Sequence, residues 1–229
     1  MLLECKDLKK SYRRKLAVRD ITVNLEQGRM YGLLGPNGAG KSTWMKMVAG
    51  LVKGWQGTLL YEGHPLTYRD KAGIAYMSTE PFFYSYMKIK DVANYYEDFF
   101  DDFSRERFYE LLGRMELDAE DRTRTLSSGM AAKLKLAATL ARDAKLYLLD
   151  EPLNGIDLVA RDRVMQTILE VHSPKNTIVM STHLVDEIED VIDEAIFVRE
   201  GEIALAGSKE KLHQDWDASI VDLYRKIYG

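Results

Sequence analysis

The chain holds a single cysteine, Cys5, among its 229 residues. A disulfide within the chain is therefore excluded, and a reducing compartment is the natural setting. Cys5 is read as a buried, inert thiol. Also missing is any apolar run near the ~20 residues that a membrane-spanning helix requires. The opening Met1, Leu2, Leu3, Glu4 is too short and too soon charged to read as a signal peptide. Nor does one sign of charge dominate: 36 acidic residues face 32 basic ones, for a formal net charge of −4. That balance offers no general attraction to nucleic acid or to an anionic lipid surface. The expected location is the cytoplasm, with any membrane role borrowed from a partner.

Apolar material is plentiful. Hydrophobic residues make up 46% of the chain, enough for a sizeable core and too much for disorder. Alternating or apolar segments at 2–8, 17–25, 30–34, 57–61 and 74–77 read as strands. Helical spacing over 41–51 places Trp44, Met47, Val48 and Leu51 on one face. From 81 to 142 the pattern is helical. One helix spans 91–103, with Tyr96, Phe99, Phe100 and Phe103 on one side. A second starts at Ser104, and a third runs from Ser127 to Arg142. Strands return at 146–149, 177–180 and 194–198, alternating with helices over 157–171 and 184–191. Such alternation implies an α/β fold with a mostly parallel sheet. The expectation is one domain over 1–229, with a core from 1–80 and 143–229 and a helical insertion from 81–142.

Three constellations carry chemistry. Gly35 to Ser42 reads Gly-Pro-Asn-Gly-Ala-Gly-Lys-Ser, a fit to G-x-x-x-x-G-K-[ST] between an apolar strand and a helix. Its glycines allow a tight turn whose amides form a nest for phosphate oxygens. Lys41 would reach the β- and γ-phosphates, and the Ser42 hydroxyl would ligate Mg²⁺. The apolar run 146–149 ends in Asp150 and Glu151. Asp150 is placed to hold the Mg²⁺ shell, and Glu151 to polarise an attacking water. A strand at 177–180 leads to His183, placed to bond the γ-phosphate; His64, His172 and His213 have no such setting.

Leu126-Ser-Ser-Gly-Met130, at a helix start about 20 residues before Asp150, looks like the signature LSGGQ. With the other motifs in this order, it makes the chain resemble the nucleotide-binding subunits of the ABC ATPase family over nearly its whole length. The resemblance implies a P-loop NTPase core with an N-terminal antiparallel β subdomain and an inserted α-helical subdomain. It implies ATP and Mg²⁺, with two chains sandwiching two ATP molecules head to tail. Tyr12 then matches the aromatic that stacks on adenine. Gly35, Asn37, Gly38, Ala39, Gly40, Lys41, Ser42 and Thr43 match the Walker A loop, and Asp150 and Glu151 match Walker B. Ser127 and Gly129 serve the opposite subunit's ATP, and Asp157 closes the D-loop. His183 matches the switch histidine. Lys41, Glu151 and His183 are the catalytic set.

Three positions depart from the family pattern: Ser128 for glycine, Met130 for glutamine, and Thr79 for the Q-loop glutamine. Thr79 and the following Glu80 join Ser42 and Asp150 as candidate Mg²⁺ ligands. The atypical signature and the ending over 219–228 look like ABC-2-type exporters of the bacitracin and acetoin-utilisation group. The implied partners are a second copy or a paralogous ATPase subunit, and an integral membrane permease that would hold the chain at the inner face of the membrane. A non-transport ATPase of the same family and an ATP-gated regulatory module stay open. The aromatic run 81–86 reads equally as helical-subdomain core or as a groove for the permease. The segment carrying Ile220, Leu223 and Ile227 reads as a packed amphipathic helix.

Overall fold

The computed structural model describes residues 1–13, 15–81 and 83–229; Phe82, in the aromatic run, lies outside the described residues. Ten strands form one sheet in the order β5-β4-β1-β2-β10-β9-β3-β8-β7-β6. At one end β1 (Leu3–Tyr12), β2 (Lys15–Leu25), β4 (Gln56–Tyr61) and β5 (His64–Pro65) pair antiparallel. At the other, β3 (Met30–Leu34), β6 (Ile74–Met77), β7 (Leu146–Asp150), β8 (Thr177–Thr182) and β9 (Glu194–Arg199) run parallel. The antiparallel strands alternate buried and exposed positions, whereas β3, β7 and β8 are buried at every residue. Strands covered on both faces read as continuous apolar runs for that reason.

This order delivers the chemistry to one edge. β3 lies between β9 and β8, and β8 lies beside β7. Parallel pairing brings the ends of β3, β7 and β8 together, so the loop after Leu34, the Asp150–Glu151 pair and His183 leave the sheet side by side. Ligands of open parallel sheets bind at this carboxyl edge.

Among the described residues seven α-helices surround the sheet: α1 (Lys41–Val48), α2 (Ile89–Phe99), α3 (Arg105–Arg114), α4 (Ser128–Leu140), α5 (Leu158–Val171), α6 (Lys209–Trp216) and α7 (Ile220–Tyr228). One apolar cluster joins α2, α3, α4 and α5 to one face of the parallel strands, through residues such as Ile89, Phe108, Leu136, Leu149 and Met180. A second fills the other face and the antiparallel part, around Trp44, Leu8, Leu59 and Val179. Cys5 sits in the second cluster, where burial pushes its thiol up to about 12; a neutral thiol is a poor nucleophile.

The structure departs from the sequence reading at five places, the first being the helix read over 91–103, which ends at Phe99 because Phe100 turns extended at φ −132° and ψ 106°. The first helix ends at Val48 with Ala49 as its cap, not at Leu51, because Gly50 takes a left-handed φ of 66° and stops the spiral. The segment 184–191 is no α-helix but a single 3₁₀ turn over Val185–Glu187. Lys209 Nζ donates to the carbonyls of Glu189 and Asp190 at 3.2 and 3.1 Å, which ties that backbone down outside a helical ladder. Strand β10 (Glu202–Ser208) and helix α6 went unread. Glu200 and Gly201, both at positive φ, make the tight turn that returns β10 onto β9. Phe99 is 67% exposed and faces away from the buried Tyr96 and Phe103. Its ring packs at 4.7 Å from Tyr95 instead. Among the described residues no helix is long and apolar enough to cross a membrane.

Candidate functional site

The loop between β3 and α1 is shaped by what its first helical turn lacks. Helices α3 to α7 each begin with a Ser or Asp whose side chain accepts an amide of the first turn. At α2 the Lys88 amide donates to Asp91. Among the described residues α1 alone opens with neither a side-chain cap nor an acid in its first turn; its cap is Gly40, at φ 112°. A Cβ at Gly40 would stand 2.6 Å from the carbonyl of Ala17. Only glycine fits there, and the amides and partial positive charge of the helix start stay available for an anion.

A cleft of about 440 Å³ opens over this turn. Its walls are Tyr12, Lys15, Ala17, Asn37, Gly38, Ala39, Gly40, Lys41, Ser42 and Thr43 on one side, with Thr79, Glu151 and Asn154 on the other. The Lys41 ammonium is buried, donates to the Gly35 carbonyl at 2.6 Å, and stands 3.4 Å from Glu151 Oε1. Tyr12 is half exposed at the rim, with Lys10 Nζ 5.0 Å from its ring centre.

Asp150 is fully buried and accepts three hydroxyls. Ser42 and Ser181 donate to Oδ1 at 3.0 and 2.6 Å, and Tyr76 to Oδ2 at 3.2 Å. Ser181 Oγ also accepts the Glu151 amide at 3.0 Å. Burial, reinforced by the Asp150 charge, pushes the Tyr76 phenol up, so it remains a donor. Glu151 takes the left-handed backbone conformation, at φ 50°, a strained state that proteins retain where geometry matters. Its Oε2 lies 2.9 Å from His183 Nδ1. Its Oε1 is buried with no hydrogen-bond partner. The glycine-rich turn at the start of α1, the Ser42–Asp150 contact and a carboxylate oxygen held only by the Lys41 ion pair fit a triphosphate with Mg²⁺ and a water. Among the described residues no group of three or more His, Cys, Asp or Glu side chains forms a metal cage. Mg²⁺ is commonly bound by one or two protein oxygens together with substrate phosphates.

Other expected residues are placed elsewhere. Ser127 caps α4, accepting the Met130 amide at 3.2 Å, and is exposed. Neither it nor Gly129 is among the described walls of the cleft. A Cβ on Gly129 would come 2.7 Å from the Gly155 carbonyl, so contact with the loop before α5 requires that glycine. Ser128 turns toward Gly155 as well, its Oγ 3.3 Å from where a Cβ there would lie. Asp157 caps α5 through the Ala160 amide at 3.0 Å. Thr79 stands on the cleft wall, whereas Glu80 is exposed and pairs with Lys46 at 2.7 Å. His64, His172 and His213 are not among the cleft walls. The sequence reading missed Tyr76, Ser181 and Asn154. For Ser181 a signal existed, since it ends a strand beside His183.

The family profile described as ABC transporter matches residues 18–154. The lantibiotic transport ATP-binding protein SrtF of Streptococcus pyogenes is 33% identical over 206 residues, covering 89% of this chain and 90% of that protein. The linearmycin resistance ATP-binding protein LnrL of Bacillus subtilis is 29% identical over 219 residues, covering 92% of this chain and 70% of that protein. A solved ATP-binding subunit of an ABC transporter superposes with a TM-score of 0.88 at 24% identity, covering both chains completely. That likeness establishes the fold, and the sequence matches establish more: the chain belongs to the ABC transporter family, as an ATP-binding subunit.

Proposed function

We propose that the chain is one half of an ATP-driven motor for an ABC-2-type exporter, working as a single domain whose helical part spans residues 81–142. Amides of residues 35–43 and the Lys41 ammonium grip the triphosphate, and Tyr12 stacks on the base. Ser42 and Asp150 would hold Mg²⁺, which neutralises charge on the phosphate oxygens when bound. Glu151 orients the attacking water and accepts its proton, while His183 fixes the Glu151 carboxylate and senses the γ-phosphate. Thr79 is retained as an outer contact of the metal site. Glu80, drawn off by Lys46, is given no such role.

The observation that carries this reading is the one-sided cleft. Lys41, Ser42 and Glu151 meet at it, with Asp150 buried behind Ser42, while Ser127, with its cap geometry, is exposed outside it. A second chain placed head to tail would bring its Ser127 and Gly129 over the nucleotide. Leu158 and Val159, 70% and 85% exposed just after Asp157, support a partner surface on that side. A second, more apolar cleft of about 590 Å³, which shares Tyr12 with the first and is lined by Leu51, Val52, Tyr95, Phe99 and Phe100 among others, suits a helix of a membrane permease. Exposed Tyr84 and Tyr86, stacked at 5.4 Å, extend the aromatic surface. The roles that name the two relatives, lantibiotic transport and linearmycin resistance, support export.

Lys41→Ala tests the site. It is expected to weaken ATP binding by about 10- to 100-fold, the factor set by losing a charged hydrogen bond worth roughly 1.5–3 kcal/mol. Titration calorimetry reads the result. Unchanged affinity would remove the phosphate loop from the account.

A further inference from the structure

Lys135 is a buried cation that the chemistry above does not use. It lies on α4, eight residues beyond the Ser127 cap and about two turns along the helix. It is 9% exposed. Its ammonium donates to two successive main-chain carbonyls, of Ser78 at 2.8 Å and Thr79 at 3.0 Å. Those carbonyls sit where the chain leaves β6 for the helical part. Both acceptors are neutral. Burial lowers the ammonium below the ordinary lysine range, and the Asp150 charge offsets only part of that. Methionine has similar length and would fill this space without the cost of desolvating a charge. Methionine would also leave the Ser78 and Thr79 carbonyls without this donor, and what lysine provides is a fixed link from α4 to the backbone of Thr79.

Thr79 is where such a link matters. It forms part of the wall of the cleft that holds Lys41 and Glu151. It also lines a second cleft of about 370 Å³ together with Leu126, Ser128 and Lys135. One short backbone segment thus touches the nucleotide cleft on one side and the start of α4 on the other, and Lys135 pins it.

We propose that Lys135 is a positioning residue that holds the Thr79 wall of the nucleotide cleft in register with the capped start of α4, so that nucleotide in the cleft sets where Ser127 is presented. The inference rests on the proposed ATP-driven closure.

The test uses the full chain with ATP and Mg²⁺. Lys135→Met is expected to lower kcat by about 10- to 100-fold, the scale of a displaced catalytic geometry. ATP affinity should stay within about threefold, since the loop at 35–43 is untouched. The thermal midpoint should change little, because relief of the buried charge and loss of two carbonyl bonds oppose each other. Lys135→Gln, whose amide keeps two N–H donors on a side chain one bond shorter, should fall between Met and the native residue in kcat. A kcat within about twofold of native in both variants would overturn the proposal, and so would a loss of kcat that only follows a falling midpoint. If Lys135→Met does not fold, Lys135→Gln decides by the same two criteria. Failure of the native chain to bind ATP is a different result, and it would strike the proposed function instead.

Discussion

Glu151→Gln is expected to cut ATP hydrolysis by at least about 100-fold, the low end of what a positioned general base contributes, while ATP binding persists. The reasoning starts from the backbone. Glu151 adopts a left-handed φ of 50°, held by its amide bonds to the Ser181 carbonyl and hydroxyl at 3.1 and 3.0 Å. That turn aims the side chain into the cleft and away from the path of β7. One carboxylate oxygen is fixed by His183 at 2.9 Å; the other is buried without a hydrogen bond, 3.4 Å from the Lys41 ammonium. An oxygen in that position is suited to take a proton from water. Glutamine keeps the shape but loses the charge and half the acceptor capacity. The phosphate loop is unaffected, so binding survives. Phosphate release at saturating ATP, measured beside equilibrium binding, separates the two effects. Turnover equal to the native chain would show that Glu151 is not the base.

Arg142→Ala should have the largest effect on stability, a loss of about 3–5 kcal/mol, the usual cost of breaking a buried ion pair by removing one partner. Arg142 is 4% exposed. Its Nε and Nη2 each lie 3.0 Å from an oxygen of Asp102, in the two-pronged geometry that guanidinium favours. Nη1 donates to the Ile74 carbonyl at 3.0 Å, and Nη2 donates to that of Ala72 as well. The guanidinium carbon stands 4.0 Å over the Phe100 ring. Asp102 and Phe100 belong to the helical stretch, while Ala72 and Ile74 lead into β6. One side chain thus joins the helices to the sheet. Alanine would leave the Asp102 carboxylate and two carbonyls short of a donor. Urea unfolding monitored by circular dichroism gives the change. A difference under about 1 kcal/mol would mean that the joint is held by packing alone.

The contrast between these two sites explains what the sequence discloses. Around Lys41 and Glu151 the determinants are local. Gly40 is needed where it sits because of a positive φ and the Ala17 carbonyl, and β7 and β8 end in their functional residues. Residue type and spacing are sufficient there. The companions of Asp150 are not local: Tyr76 is 74 residues away and Ser181 is 31. Arg142 bonds to a carbonyl 68 residues earlier. Such pairings follow from strand order, which periodicity does not specify. The segment 184–191 shows the opposite failure. It has helical spacing, but Lys209 claims its carbonyls and Ile188 and Ile192 are drawn into the core, so tertiary contacts override local preference. Ser128 shows the limit of motif comparison. As a departure from the signature glycine it gives no sign that its hydroxyl lies against Gly155.

The proposed function turns on a nucleotide gripped by one chain and sealed by the exposed start of α4 from another. Light scattering on Glu151→Gln, with and without ATP and Mg²⁺, measures that directly. The account requires a monomer without nucleotide and a doubled mass with it, with the doubling abolished when Lys41→Ala is added. A mass that stays at one chain, while ATP is shown to be bound, would contradict it.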